Sequence, residues 1–224
     1  MLDAVIFDFD GIIVDSEPLH YKAFQEVLVP LGLGYSWQQY LDEYLGFDDR
    51  DAFRESFRAG GRHLSGEELH RLMAEKAEAF IRIVSAGVAP YSGVVELIRS
   101  ISGTLPLALC SGALRSDIDP VLEQLSLTGA FDVIVTANEV AASKPDPESY
   151  LMALKRLQER FPGAVKAAST LAVEDTPAGI ASATGAGLKV LGVTNSYPEE
   201  RLTGAVKVVD SLAGVDLESL RLLI

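Results

Sequence analysis

Short apolar runs that do not alternate set the limits on how this chain can fold. They are "AVIF" (4–7), "LPLALC" (105–110), "FDVIVTA" (131–137), "STLAVED" (169–175), "LKVLGVT" (188–194) and "VKVVD" (206–210). A strand facing water on one side alternates apolar and polar residues, whereas a strand covered on both faces reads as a continuous apolar run. Helical patterns separate the runs: "SGVVELIRSIS" (92–102), "SDIDPVLEQLSL" (116–127), "PESYLMALKRLQERF" (147–161) and "PAGIASATGAG" (177–187). Each repeats apolar residues at three- and four-residue spacing. Strands alternating with helices of this length predict an α/β fold, a doubly wound and mostly parallel sheet.

The stretch from 16 to 88 interrupts that alternation. It holds helical patterns at 17–31, 37–45, 49–59 and 66–86, punctuated by "GLGYS", "AGG" and "SAGVAPYSG". The expected organisation is therefore a core of residues 1–15 and 89–224 with a helical domain, 16–88, inserted after the first strand.

A net charge of −13 over 224 residues argues against nucleic acid as a partner, because phosphate backbones seek basic faces. A lone cysteine, Cys110, can form no internal disulfide and reads as a small buried filler in a reducing compartment. Asp3 stands where a signal peptide would carry positive charge. No apolar stretch approaches the roughly 18 residues that span a bilayer. The expectation is a cytoplasmic protein with no membrane, nucleic-acid or obligatory protein partner.

In an open parallel sheet, ligands bind beyond the carboxyl ends of the strands. The first strand here runs into Asp8-Phe9-Asp10-Gly11 and the second into Cys110-Ser111-Gly112. Ser143-Lys144-Pro145-Asp146-Pro147 follows the third, and the fourth ends in Glu174-Asp175-Thr176. Several strand ends thus deliver carboxylates, a hydroxyl and an ammonium to one rim, which is a stronger signal than any single motif. Residues 8 and 10 are expected to point to the same side of an extended strand, with Phe9 facing away.

"DFDGIIVDSEPLH", "CSG", "SKPDP" and "VEDTPAGIASATGAG" occur in the order and spacing of the haloacid dehalogenase-like superfamily, which the chain resembles over essentially its whole length. The likeness is to the branch of beta-phosphoglucomutase-like phosphatases and mutases, which have a Rossmann-like core and a small helical cap. It implies Asp8 as nucleophile, Asp10 as general acid and base, and Mg²⁺ as cofactor. The ligands would come from Asp8, the Asp10 carbonyl, Glu174 and Asp175. Lys144 would supply fixed positive charge, while Ser111 and Gly112 would donate hydrogen bonds to the phosphoryl group. The implied substrate is a small phosphorylated metabolite.

Elementary chemistry supports these roles. A carboxylate that attacks phosphorus splits one hard displacement into two, and a second acid beside it can protonate the leaving oxygen. At about 4 Å and an effective dielectric of about 20, each unit charge pair is worth about 4 kcal/mol, so a phosphate dianion would need a cation to approach.

Asp15 and Ser16 are expected to cap the first inserted helix, and Asp175 or Thr176 the helix that starts at Pro177. His20 matches the family pattern, with helix packing as an equal reading. Arg50, Arg54 and Arg58 recur every four residues. Arg50 is a substrate-contact candidate, and the other two are expected to pair with Asp51 and Glu55.

A beta-phosphoglucomutase also grips a second phosphate, with a Ser-Lys-Asn clamp after the conserved serine and an arginine of the insert. Here Gly112-Ala113-Leu114-Arg115 stands at the clamp, and Arg50 falls one place later after Gly46 than that pattern expects. The departure favours hydrolysis of a phosphomonoester, with Arg115 as a partial substitute for the clamp. A mutase and a non-catalytic phosphate- or metal-binding module are the alternatives. A metal-free dehalogenase would need neither Asp10 nor the Glu174-Asp175 pair. A receiver domain would be shorter and would carry its acceptor aspartate on a later strand.

Overall fold

A computed structural model describes residues 1–44, 47 and 49–224. Leu45, the last residue expected of the second inserted helix, and Gly46, from which Arg50 is counted, lie outside the described residues. The chain opens with β1 (Ala4–Phe7), all four side chains of which are buried. Ser16–Gly87 then forms one compact unit, and Met1–Asp15 together with Val88–Ile224 forms another.

The first of these units is helical. It contains α1 (Glu17–Leu28), α2 (Trp37–Gln39) with a π-helical turn directly after it (Tyr40–Tyr44), α3 (Asp49–Ala59) and α4 (Gly66–Ser85). Local chemistry sets the helix starts. Pro18 sits in the first turn of α1, where a missing N–H costs nothing. Ser65 caps α4 by accepting from the Glu68 N–H. Ser16 stands at the N-cap of α1, but its side chain makes no capping hydrogen bond, contrary to expectation. Phe24, Leu28, Phe53, Phe57 and Leu72 form the core of this unit.

Lys76 falls four residues from both Leu72 and Phe80, on the buried stripe of α4, and is itself fully buried. It is paired there. Nζ donates to Asp49 Oδ1 at 2.7 Å, meets His20 Nδ1 at 2.8 Å and lies 5.0 Å above the Phe24 ring. Desolvation pushes His20 down to about 3, and Lys76 acts the same way, so the ring is neutral and Nδ1 can accept.

The second unit is a doubly wound α/β sandwich. After α5 (Val94–Ile101) come β2 (Leu107–Cys110), α6 (Arg115–Gln124), β3 (Val133–Val135), α7 (Glu148–Arg160) and β4 (Thr170–Glu174). Then follow α8 (Pro177–Gly185), β5 (Lys189–Val193), β6 (Lys207–Val209) and α9 (Leu217–Arg221), the last with no counterpart among the helices expected from the sequence. The strands form one six-stranded sheet, parallel throughout, in the order β3-β2-β1-β4-β5-β6. Val5 is registered with Leu107 on one side and Leu171 on the other. The winding reverses between β1 and β4, and that crevice is where such sheets bind ligands. Tyr150, Leu157 and Ile180, from α7 and α8, pack against Ile6 and Ala172 on one sheet face. Among the described residues, no helix is long and apolar enough to cross a membrane.

Removing one partner of a buried ion pair strands the other charge at a cost of about 3–5 kcal/mol. Asp49→Ala should therefore destabilise the helical unit by about 3 kcal/mol in chemical denaturation. Lys76→Met should cost clearly less, because Met fills the stem's place and Asp49 still reaches water. Equal losses would contradict this account of Lys76.

Candidate active site

β1 stops at Phe7, and Asp8 stays in line with the sheet through its N–H, which donates to Val173 O at 3.0 Å. Asp10 does not continue the strand, so the expected alternation of residues 8 to 10 along one extended strand is corrected. The chain turns instead. Phe9 O accepts from Ile13 N at 2.8 Å and Val14 O from Gly11 N at 2.9 Å. Gly11 has φ +78°, and a Cβ there would lie 1.9 Å from Asp175 Oδ2. Glycine lets the loop after β1 lie directly against the acid after β4.

Lys144 arrives from the segment before α7. Its Nζ lies 2.8 Å from Asp8 Oδ1 and donates to Glu174 Oε1 at 2.6 Å and to Cys110 O at 3.3 Å. Burial works to lower its pKa, but Asp8 and Glu174 outweigh that and hold the ammonium well above its usual range. Glu174 is fully buried, and the chain itself engages both of its oxygens. Oε1 also accepts from the Tyr150 hydroxyl at 2.8 Å, while Oε2 accepts from Asp175 N at 3.2 Å and Thr176 Oγ1 at 3.3 Å. Thr176 also caps α8, accepting from Gly179 N at 3.0 Å.

Asp175 is fully buried and its two oxygens differ. Oδ2 accepts from the Ser196 hydroxyl, and Oδ1 has no hydrogen-bond partner. An orphaned buried carboxylate oxygen is costly unless something occupies it. Oxygens of Asp8, Glu174 and Asp175 lie within 4.8 Å of one another, a donor set that suits a hard divalent cation. Desolvation raises Asp175 to about 7, against the pull of Ser196. Desolvation, with Glu174 next, also raises Asp8 well above the carboxylate range, and Lys144 opposes them.

Ser111 is buried at the end of β2, where its N–H donates to Val135 O at 2.9 Å. Its Oγ accepts from Ala113 N at 2.9 Å, which leaves the O–H to donate. Gly112 is exposed, and a Cβ there would have nothing within 4 Å. Arg115 opens α6 and spends its Nε on Asp119 Oδ1 at 2.7 Å, with half its side chain exposed. Arg50 and His20 belong to the helical unit: Arg50 is exposed on α3, and His20 is engaged by Lys76. Arg54 and Arg58 pair with Asp51 and Glu55 at the surface, as expected.

The structure thus gathers Asp8, Lys144, Glu174 and Asp175 around one crevice, with Lys144 in contact with Asp8 and Glu174 and with Asp10 and Ser111 on adjoining loops. Sequence reasoning missed Tyr150, Ser196 and Asn195. Tyr150 lies on the apolar stripe of α7 and reads as core. Ser196 and Asn195 come from the loop after β5, and no local pattern marks them.

The family model for haloacid dehalogenase-like hydrolases matches residues 5–193. Protein CbbY of Rhodobacter capsulatus is 33% identical over 88% of this chain and 87% of its own length. Fructose-1-phosphate phosphatase YqaB of Escherichia coli is 30% identical over 84% of this chain and 95% of its own. The crystal structure of CbbY from Rhodobacter sphaeroides in complex with phosphate superposes with a TM-score of 0.81 at 25% identity, covering 98% of this chain and 99% of that one.

The folded chain holds a proton on Asp175 up to about pH 7, whereas the unfolded chain releases it near 3.8. The native state then binds more protons in that window, so metal-free stability should fall as pH rises from about 4 to about 7 and then level off. Thermal melts of chelator-treated protein across that range should show the decline, and Asp175→Asn should reduce it, leaving the part that the raised Asp8 contributes. A metal-free protein equally stable at both ends would contradict the assignment.

Proposed function

Since the chain belongs to the haloacid dehalogenase-like hydrolases and is a phosphatase of that family, we propose that it hydrolyses a small phosphomonoester, a sugar phosphate or similar metabolite, through an aspartyl-phosphate on Asp8. The observation that carries the proposal is the Asp8 carboxylate held 2.8 Å from a partly buried Lys144 at the switch point of the sheet. The similarity to a fructose-1-phosphate phosphatase supports the substrate class.

Asp8 attacks phosphorus in line with the departing oxygen, and Lys144 offsets the charge that gathers on the phosphoryl oxygens. Asp10 protonates the leaving alkoxide and then takes a proton from the water that cleaves the acyl phosphate. The Ser111 hydroxyl and the Gly112 N–H donate to the transferring group. Glu174, locked by Tyr150 and Thr176, keeps Lys144 aimed at Asp8. Mg²⁺ would be held by Asp8 and Asp175, with Glu174 and the Asp10 carbonyl as further oxygen donors. When bound, it polarises the phosphoryl oxygens and neutralises their charge. Arg115 would exchange Asp119 for substrate. Ala113 and Leu114 bring no cation to help retain a bisphosphate, which favours net hydrolysis over isomerisation.

Asp8→Asn should abolish turnover of every ester. Asp10→Asn should slow alkyl phosphates far more than nitrophenyl phosphate, because protonation matters only where the leaving oxygen is basic. Equal losses on both esters would contradict the role of Asp10. With beta-glucose 1-phosphate and a trace of the 1,6-bisphosphate, inorganic phosphate should appear in Mg²⁺ and stop on chelation. Rapid formation of glucose 6-phosphate with negligible phosphate would overturn hydrolysis in favour of a mutase.

A further inference from the structure

The loop after β5 reaches both acidic loops of the site. Its root is fixed in the sheet, where Thr194 N donates to Val209 O at 3.0 Å. Asn195 Nδ2 donates to Gly11 O at 2.6 Å, which ties down the turn that carries Asp10. Ser196 is exposed as a residue, but its hydroxyl is turned in to Asp175 Oδ2. Gly11 closes the ring, since its α-carbon packs so near Asp175 Oδ2 that a Cβ would overlap it. Thus one oxygen of Asp175 is held by a hydroxyl and hemmed in by backbone, while the other is buried and orphaned.

We infer that Ser196 is a positioning residue which fixes the Asp175 carboxylate so that Oδ1, and not Oδ2, is presented to a divalent cation. The inference rests on the reading of Asp175 as a cation ligand. A metal-ligating carboxylate works at full affinity only when its second oxygen is held, and loss of such an outer partner typically costs about 10–100-fold in metal affinity. Without the hydroxyl, the carboxylate can rotate and leaves a second buried oxygen unsatisfied in the metal-free protein. Asn195 acts in parallel on Gly11 and does not substitute for Ser196, because it bonds a carbonyl and not the acid.

Calorimetric titration of the purified protein with Mg²⁺, in the absence of substrate, tests this directly. Ser196→Ala should bind Mg²⁺ at least about 10-fold more weakly than the wild type. Ser196→Thr, which keeps the hydroxyl, should restore binding to within about threefold, a rescue that a mere loop-packing role would not give. Should Ser196→Ala fail to fold, Ser196→Cys carries the same expectation, because a thiol is a weak donor. Unchanged binding in Ser196→Ala alongside lost binding in Asp175→Ala would overturn the inference and leave the reading of Asp175 intact. Unchanged binding in Asp175→Ala would sink that reading and the inference with it.

Discussion

The partly buried ammonium of Lys144, bonded to two carboxylates, is the interaction on which the rest of the site depends. Taking an ion out of water costs several kcal/mol even after relaxation, and here three carboxylates leave water together. Asp8, Glu174 and Asp175 face one another at the end of the sheet, and Lys144 bonds the first two at 2.8 and 2.6 Å. That pairing works to keep Asp8 ionised, but desolvation and the Glu174 charge outweigh it and leave its pKa well above the carboxylate range in the metal-free site. Glu174 in turn holds Lys144, and the Tyr150 hydroxyl and Thr176 fix its carboxylate in place. The cluster is still short of positive charge, and the shortfall is concentrated at Asp175.

Backbone chemistry makes such crowding possible at two points. A Cβ at Gly11 would strike the Asp175 carboxylate, and a Cβ at Gly179 would lie 1.9 Å from Glu174 Oε1. Glycine at each place lets main chain pack where side chain cannot, so the acids stay dry and fixed. The parallel sheet does the rest. Winding reverses between β1 and β4, which opens a crevice just where Asp8 and Asp175 emerge. Preorganised charge in a water-poor site is worth far more than the same charge at a surface. The surface pairs of Arg54 and Arg58, by contrast, add little.

Much of this was legible because it is written locally. Unbroken apolar runs announce strands buried on both faces, and β1, β2 and β4 lie inside their predicted windows. Asp8, Ser111, Lys144 and Asp175 were found because strand ends in this architecture converge. What escaped depends on long-range contact or on backbone turning. Strand periodicity could not foresee that β1 ends at Phe7 and that a turn, not an extended strand, carries Asp10. Ser196 and Asn195 sit in an ordinary polar loop, and their meaning lies in Asp175 and Gly11, some 20 and 180 residues away. Tyr150 was hidden by its own ring, which fits the apolar stripe so well that nothing local marks the hydroxyl. The short α9, with an Asp216–Ser219 capping box, has too few apolar residues to register as a periodic pattern.

The central claim is that Asp8 carries the phosphoryl group between substrate and water. Rapid-quench of a single turnover, followed by borohydride reduction and peptide mass spectrometry, reads that directly, because reduction of an aspartyl phosphate leaves homoserine. The account predicts homoserine at position 8, appearing and decaying at rates that match phosphate release. Full turnover with no reduced residue at position 8, or with the modification at Asp10 instead, would contradict it.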